Sequence, residues 1–143
     1  MLSDDERRML DLPGFAKLTT LNASGAPQAT VRWFRRLDDH VTMIAPASSI
    51  KARHIANDSR VVVVVDAPDN GYEYIELRGH AELVRDDAGA REELRHIAAR
   101  YIGAGADAYA ASLSEDPRVI IVLHPERVRY HQGRPPTGSS RAL

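Results

Sequence analysis

Five consecutive valines, Val61 to Val65, close the stretch HVTMIAPASSIKARHIANDSRVVVVVD that runs from His40 to Asp66. A run of β-branched residues is built for a strand, and its lack of alternation predicts burial on both faces. Before it come an apolar strand over His40 to Ala45, a loop of small residues, and a short basic helix from about Ser48 to Asn57. A loop of small residues opening into a helix leaves backbone N–H groups unpaired, and Lys51 and Arg53 add cationic side chains in the first turns. That is a place to hold a phosphate, with Ser48 as the expected N-cap and Ser49 as the first helical residue. The chain carries no glycine-rich dinucleotide fingerprint and no lysine behind a GxxxxG loop, so the phosphate belongs to some other cofactor architecture.

The rest of the chain reads mostly as hairpin-linked strands. Ser3 with Glu6 three residues on predicts a short capped helix from Asp4 to Leu10, ended by Leu12-Pro13-Gly14. Phe15 to Asn22 and Pro27 to Leu37 read as a hairpin around Ala23-Ser24-Gly25-Ala26, and Asp38-Asp39 turns the chain into the His40 strand. Tyr72 to Val84 alternates, with Ile75, Leu77, Ala81 and Leu83 on one face and a mixed charged and aromatic set, including Tyr74, Arg78 and His80, on the other. Gly79 in its middle suits a bend, and the mixed face suits a second subunit. A helix over Asp87 to Ile102 carries an apolar stripe of Leu94, Ile97, Ala98, Tyr101 and Ile102, and a weaker helical piece spans Asp107 to Leu113. Pro117 to Leu123 and Arg127 to His131 read as closing strands interrupted at His124-Pro125. The pattern predicts a mainly β (α+β) domain over residues 1–132, a six- to seven-stranded antiparallel closed or split β-barrel with flanking helices, and a flexible tail over 133–143.

Composition narrows the function classes. The 143 residues carry 19 basic and 20 acidic side chains, so nothing global favours nucleic acid or an anionic membrane and any basic site must be local. With no cysteine there is no disulfide framework, thiolate nucleophile or cysteine-ligated metal, as suits a reducing cytosol. The polar N-terminus MLSDDERRML lacks the features of a secretory signal, and no long apolar stretch occurs, which together predict a cytoplasmic protein. The histidines show no HxH or HExxH spacing, so no metal site is expected; His54, beside the basic helix, is the one histidine placed at the site. No nucleophile and base pair can be recognised, which fits chemistry carried by an organic cofactor and leaves catalytic side chains unassigned.

Four segments in order carry a resemblance: FAKLTTLNASGAPQATVRWF, SSIKARHIANDSRVVVVVD, YEYIELRGHAELV and RVIIVLHPERVRY. Together they resemble the split β-barrel flavin and deazaflavin reductases related to pyridoxamine 5'-phosphate oxidase, most closely the members that use coenzyme F420. The resemblance implies a homodimer with cofactors at the subunit interface. It implies that Ser48, Ser49, Lys51 and Arg53 bind the cofactor phosphate, with His54 beside them. The backbone of Thr30, Val31, Arg32 and Trp33 and of Ile44, Ala45 and Pro46 would line the ring system. Tyr74 and Arg78, and also Tyr130, would reach across from a partner subunit. Two positions depart from the family pattern: His54 replaces an asparagine, and Ala45-Pro46 replaces a hydroxyl residue.

The implied activity is an F420-dependent oxidoreductase that passes hydride to an unsaturated small organic substrate. FMN is the alternative cofactor in a pyridoxamine-phosphate-oxidase-like enzyme. A non-catalytic flavin or haem-binding protein or cofactor carrier is the alternative from another class. Arg32, Arg35 and Arg36 of VRWFRR admit two readings, guarding a strand edge or offsetting the polyglutamate tail of F420. Alternation would place Arg32 with Phe34 on one face and Trp33 with Arg35 on the other.

Overall fold

The computed structural model describes residues 1–137, and the last part of the expected tail, 138–143, lies outside them. Seven strands, β1 (Ala16–Leu21), β2 (Pro27–Arg32), β3 (Arg35–Leu37), β4 (His40–Pro46), β5 (Arg60–Ala67), β6 (Asn70–Val84) and β7 (Arg118–Gln132), form one antiparallel sheet in the order β2-β1-β5-β6-β7-β4-β3. Helix α1 (Asp4–Asp11) precedes the sheet, α2 (Ile50–Asn57) links β4 to β5, and α3 (Asp87–Ile102) and α4 (Ala106–Ala111) link β6 to β7. This is the mainly β, split-barrel architecture that the sequence implies, with β2 and β3 left as the two edges. No helix among the described residues is long and apolar enough to cross a membrane.

The inner face of the sheet holds the main core: Leu18, Val63, Met43, Ile75, Leu77, Ile121 and Leu123 are fully enclosed with Phe34, Met9 and Leu10. Burying each large apolar side chain contributes about 1.5–3 kcal/mol, so this layer dominates the stability. Helix α3 covers the opposite face of β4, where Ile44 packs against Ala90, Leu94 and Ile97. Strand β4 is therefore buried on both sides. The capping box at Ser3 and Glu6 forms as its spacing predicts, and α1 runs through Asp11.

Several expectations are corrected. The segment from Pro27 to Leu37 is not one hairpin strand: it breaks at Trp33-Phe34, sending β2 to one edge of the sheet and β3 to the other. Phe34 is driven fully into the core, while its backbone is held from outside by α3. The Phe34 N–H donates to Tyr101 Oη (3.3 Å), and Arg100 Nη1 donates to the Phe34 carbonyl. The valine run alternates after all: Val61, Val63 and Val65 are buried, but Val62 and Val64 lie half-buried on the outer face, where no element of this chain covers them fully. Strand β7 is continuous through His124-Pro125, because Glu126 is the extra residue of a β-bulge opposite Arg78 and Gly79. Beyond Leu123 no strand among the described residues pairs with the other side of β7, so a proline without an N–H is tolerated there. Gly79 is required at the bulge, since a Cβ would collide with the His124 carbonyl. Ser49, not Ser48, caps α2, its hydroxyl accepting from the Ala52 N–H at 3.3 Å. Ile102 is exposed at the end of α3 rather than part of its buried stripe. Gly133, expected in the tail, still bonds to Tyr72 and Asn70 of β6.

Candidate functional site

The ends of β2, β4 and β7 meet the start of α2, and each brings a cation or a free backbone group. Arg32, the last residue of β2, donates from Nη2 to the Ile44 carbonyl of β4 at 2.9 Å. Pro46 at the end of β4 pairs with Arg118 at the start of β7, and the Ala47 N–H donates to the Pro117 carbonyl at 2.8 Å. That bond fixes the short loop from which Ser49 opens α2 and places Lys51 in its first turn.

Arg32 lies within electrostatic reach of both Lys51 and Arg118. Burial holds Lys51 below the usual lysine range, and the neighbouring Arg32 charge lowers it further. Burial also lowers Arg32; Tyr109 opposes that change and Arg118 adds to it. Like charges pressed together out of water are unfavourable unless an anion joins them. Two buried polar atoms here also lack a partner: the Thr30 hydroxyl and Nε of Arg118. Unpartnered buried groups cost about 1–3 kcal/mol each, so a ligand that bonded them would gain that much. The donor set fits a phosphate or carboxylate.

A pocket of about 240 Å³ opens beside this cluster. Arg32 and Arg118 form its polar end, with Val31 at the rim; Ile44 and Leu94 lie at its base, and Trp33, Tyr109 and Leu113 form its wall. No acidic residue lines it. Trp33 is set by stacking: its ring lies on Tyr101 at 5.0 Å and 6°, Tyr101 lies on Phe15 at 5.7 Å, and Tyr109 leans on the other side at 5.4 Å and 50°. Tyr101 is in turn pinned by its hydroxyl, which donates to the Gly14 carbonyl at 2.7 Å.

The residues expected from the sequence divide into two groups. Thr30, Val31, Arg32, Trp33, Ile44, Pro46, Ser49 and Lys51 gather at the strand ends and the start of α2. Ala45 belongs to the same stretch, but its side chain faces the core, leaving only its backbone for a ligand. Arg53 does not join Lys51: two residues apart on a helix, the side chains point to opposite sides, and Arg53 is exposed with no hydrogen-bond or ionic partner among the described residues. Ser48 is exposed at the loop. His54 turns inward, its Nδ1 sharing a hydrogen bond with the buried Thr20 hydroxyl at 2.9 Å, so it docks α2 onto β1.

Tyr74 and Arg78 lie on the outer face of β6. Tyr74 stacks on His131 at 5.1 Å and Arg78 bonds Glu76 at 3.0 Å. Tyr130 is on the opposite face from them, because pairing sets it beside Ile75; its hydroxyl donates to Glu73. Arg35 and Arg36 are engaged by Glu93 and Asp11, which removes them as partners for a cofactor tail. Among the described residues no group of three or more His, Asp or Glu is placed to hold a metal ion. Sequence reasoning missed Arg118 and Tyr109; the only signal was an arginine immediately before the apolar run VIIVL.

Comparison with known proteins adds the following. The sequence profile described as pyridoxamine 5'-phosphate oxidase matches residues 2–132. Among solved structures, an F420 reductase superposes with a TM-score of 0.72 at 29% identity, covering 90% of this chain and 98% of its own. A conserved hypothetical protein of Mycobacterium tuberculosis superposes with a TM-score of 0.78 at 20% identity, covering 98% and 94%. HupZ of Group A Streptococcus does so at 0.65 and 15%, covering 91% and 94%. The last two are likenesses of fold alone. No curated protein matches significantly.

Proposed function

We propose, on the premise that the chain belongs to the pyridoxamine 5'-phosphate oxidase family as its match over residues 2–132 shows, that it is an F420-dependent reductase of an unsaturated organic acceptor. The observation that carries this reading is the pair of partly buried neighbouring cations Arg32 and Lys51 beside an aromatic-walled pocket. The similarity to an F420 reductase supports the choice of cofactor. When bound, the deazaflavin supplies a hydride.

The chain's own residues bind and orient. Lys51 and the Ser49 end of α2 take the phosphate, and the orphaned Thr30 hydroxyl donates to the bound cofactor. The Ile44 to Pro46 backbone and the Trp33 ring border the space for the planar system. Trp33, Leu113 and Leu94 wall the pocket next to that space, which stays open to an acceptor. A homodimer completes the site: the half-buried Val62 and Val64, with Tyr74 and Arg78, form the outer face that a second copy covers. FMN is the second reading, since Lys51 and the start of α2 would hold its phosphate as well.

Titration of the purified protein with each cofactor tests this. F420, with its extra carboxylates, binds tightly and loses affinity steeply with salt. Tight FMN binding with which F420 fails to compete at any salt concentration overturns the proposal.

A further inference from the structure

Arg118 has more hydrogen-bonding capacity than the fold uses. Its guanidinium offers five donors. Among the described residues one side-chain bond is made, from Nη2 to the Ser114 hydroxyl at 3.2 Å, while Nε is buried and unbonded. Two carboxylates of α3, one of them beside Arg118, are already engaged. Asp87 accepts from the backbone N–H of Arg118 at 2.7 Å and from Arg91 at 2.9 Å, which holds its carboxyl below the usual range. Glu93 accepts from Arg35 and from the Thr42 hydroxyl, both at 2.6 Å. Nε of Arg118 is thus left for a ligand in the pocket that Arg118 lines together with Trp33 and Tyr109.

The inference rests on the cofactor reading above. There, Lys51 holds the phosphate and the β2 and β4 backbones border the ring, which leaves the Arg118 end of the pocket for the acceptor. We infer that this pocket receives a planar, conjugated acceptor bearing a carboxylate, with Arg118 bonding the carboxylate and Trp33 and Tyr109 walling the space for the conjugated part. Arginine is suited to this, because its fork matches a carboxylate in two parallel bonds. Size limits the class further. A cavity of roughly 150 Å³ holds a benzene ring, so about 240 Å³ admits one ring with a short unsaturated side chain.

The test uses trans-cinnamate and its neutral amide, cinnamamide, as matched probes on the full chain, with affinities from calorimetry. Trp33 is the only tryptophan, so its single indole N–H resonance reports seating of the probe without interference. Cinnamate is expected to bind roughly tenfold to a hundredfold tighter than cinnamamide and to shift the Trp33 resonance. Arg118→Gln is expected to erase that preference and leave cofactor affinity unchanged. Tyr109→Leu, at an exposed position that the fold does not need, is expected to weaken both probes equally and keep the preference. Equal binding of the two probes, an unmoved Trp33 signal, or a preference that survives Arg118→Gln overturns the inference. A loss of cofactor affinity in Arg118→Gln also overturns it, by assigning Arg118 to the phosphate. If neither F420 nor FMN binds while the cinnamate preference holds, the inference stands and the cofactor reading fails.

Discussion

Arg32 and Arg35 lie three residues apart in VRWFRR, and their surroundings are opposite. Arg35 makes paired bonds to Glu93, which Thr42 also bonds beneath α3, so its charge is cancelled inside the fold. Arg32 makes one bond to a neutral carbonyl, loses hydration, and has further cations for neighbours. The first arrangement holds a helix on a strand. The second leaves charge uncancelled, which a fold tolerates where a ligand returns the balance. What separates a structural arginine from a binding one is the partner, and the partner is invisible in a local sequence window.

The contrast can be broken from the structural side first. Glu93→Leu leaves Arg35 without its counter-charge in a mostly enclosed place and is expected to cost about 3 kcal/mol of unfolding free energy. Chemical denaturation reads this, and adding Arg35→Met should recover most of the loss. If Glu93→Leu were neutral, the pair would not anchor α3. From the binding side, Lys51→Ala should leave stability unchanged or raised, because it removes a like charge and places a good helix former in α2. Its effect falls on the cofactor, with affinity dropping roughly tenfold to a hundredfold by calorimetry.

A pH series sharpens the same point. The cofactor phosphate favours protonated Lys51, whose pKa in the free protein lies below the usual 10.5. Affinity should therefore fall as pH rises through that lowered value, earlier than for an ordinary lysine, and Lys51→Arg should flatten the fall. The smallest effect separates the two serines. Ser49→Ala should cost about 1 kcal/mol in thermal or chemical unfolding as a lost cap, and Ser48→Ala almost nothing.

Features carried by short-range chemistry were legible before the structure. The capping box at Ser3 and the helix over Asp87–Ile102 each follow from a few neighbouring residues, and so does the placing of Lys51 in the first turn of a basic helix. What remained hidden depends on distant pairing. The break at Trp33-Phe34 has no turn residue; it exists because α3, some sixty-odd positions onward, grips the Phe34 backbone through Arg100 and Tyr101. The cation Arg118 reaches the site only through the register that sets it against Pro46, and Tyr109 only because α4 folds back toward Trp33. A KxR pair looks like a clamp in a linear sequence, but the helix points its two charges to different sides.

The strand order has a consequence for how the polypeptide can be assembled as it leaves the ribosome. The two hairpins encoded first, β1-β2 and β3-β4, occupy the two rims of the sheet, while β5, β6 and β7, encoded later, fill the middle. Until β7 emerges, β4 lacks the six-residue pairing from Val41 to Pro46 that joins it to the sheet. Each early hairpin thus waits with one bare flank, and a nascent chain with unpaired strand flanks is prone to wrong partnerships. Completion of the sheet waits for β7, so premature termination before Arg118 would leave the sheet in two unjoined parts rather than a smaller version of the same fold.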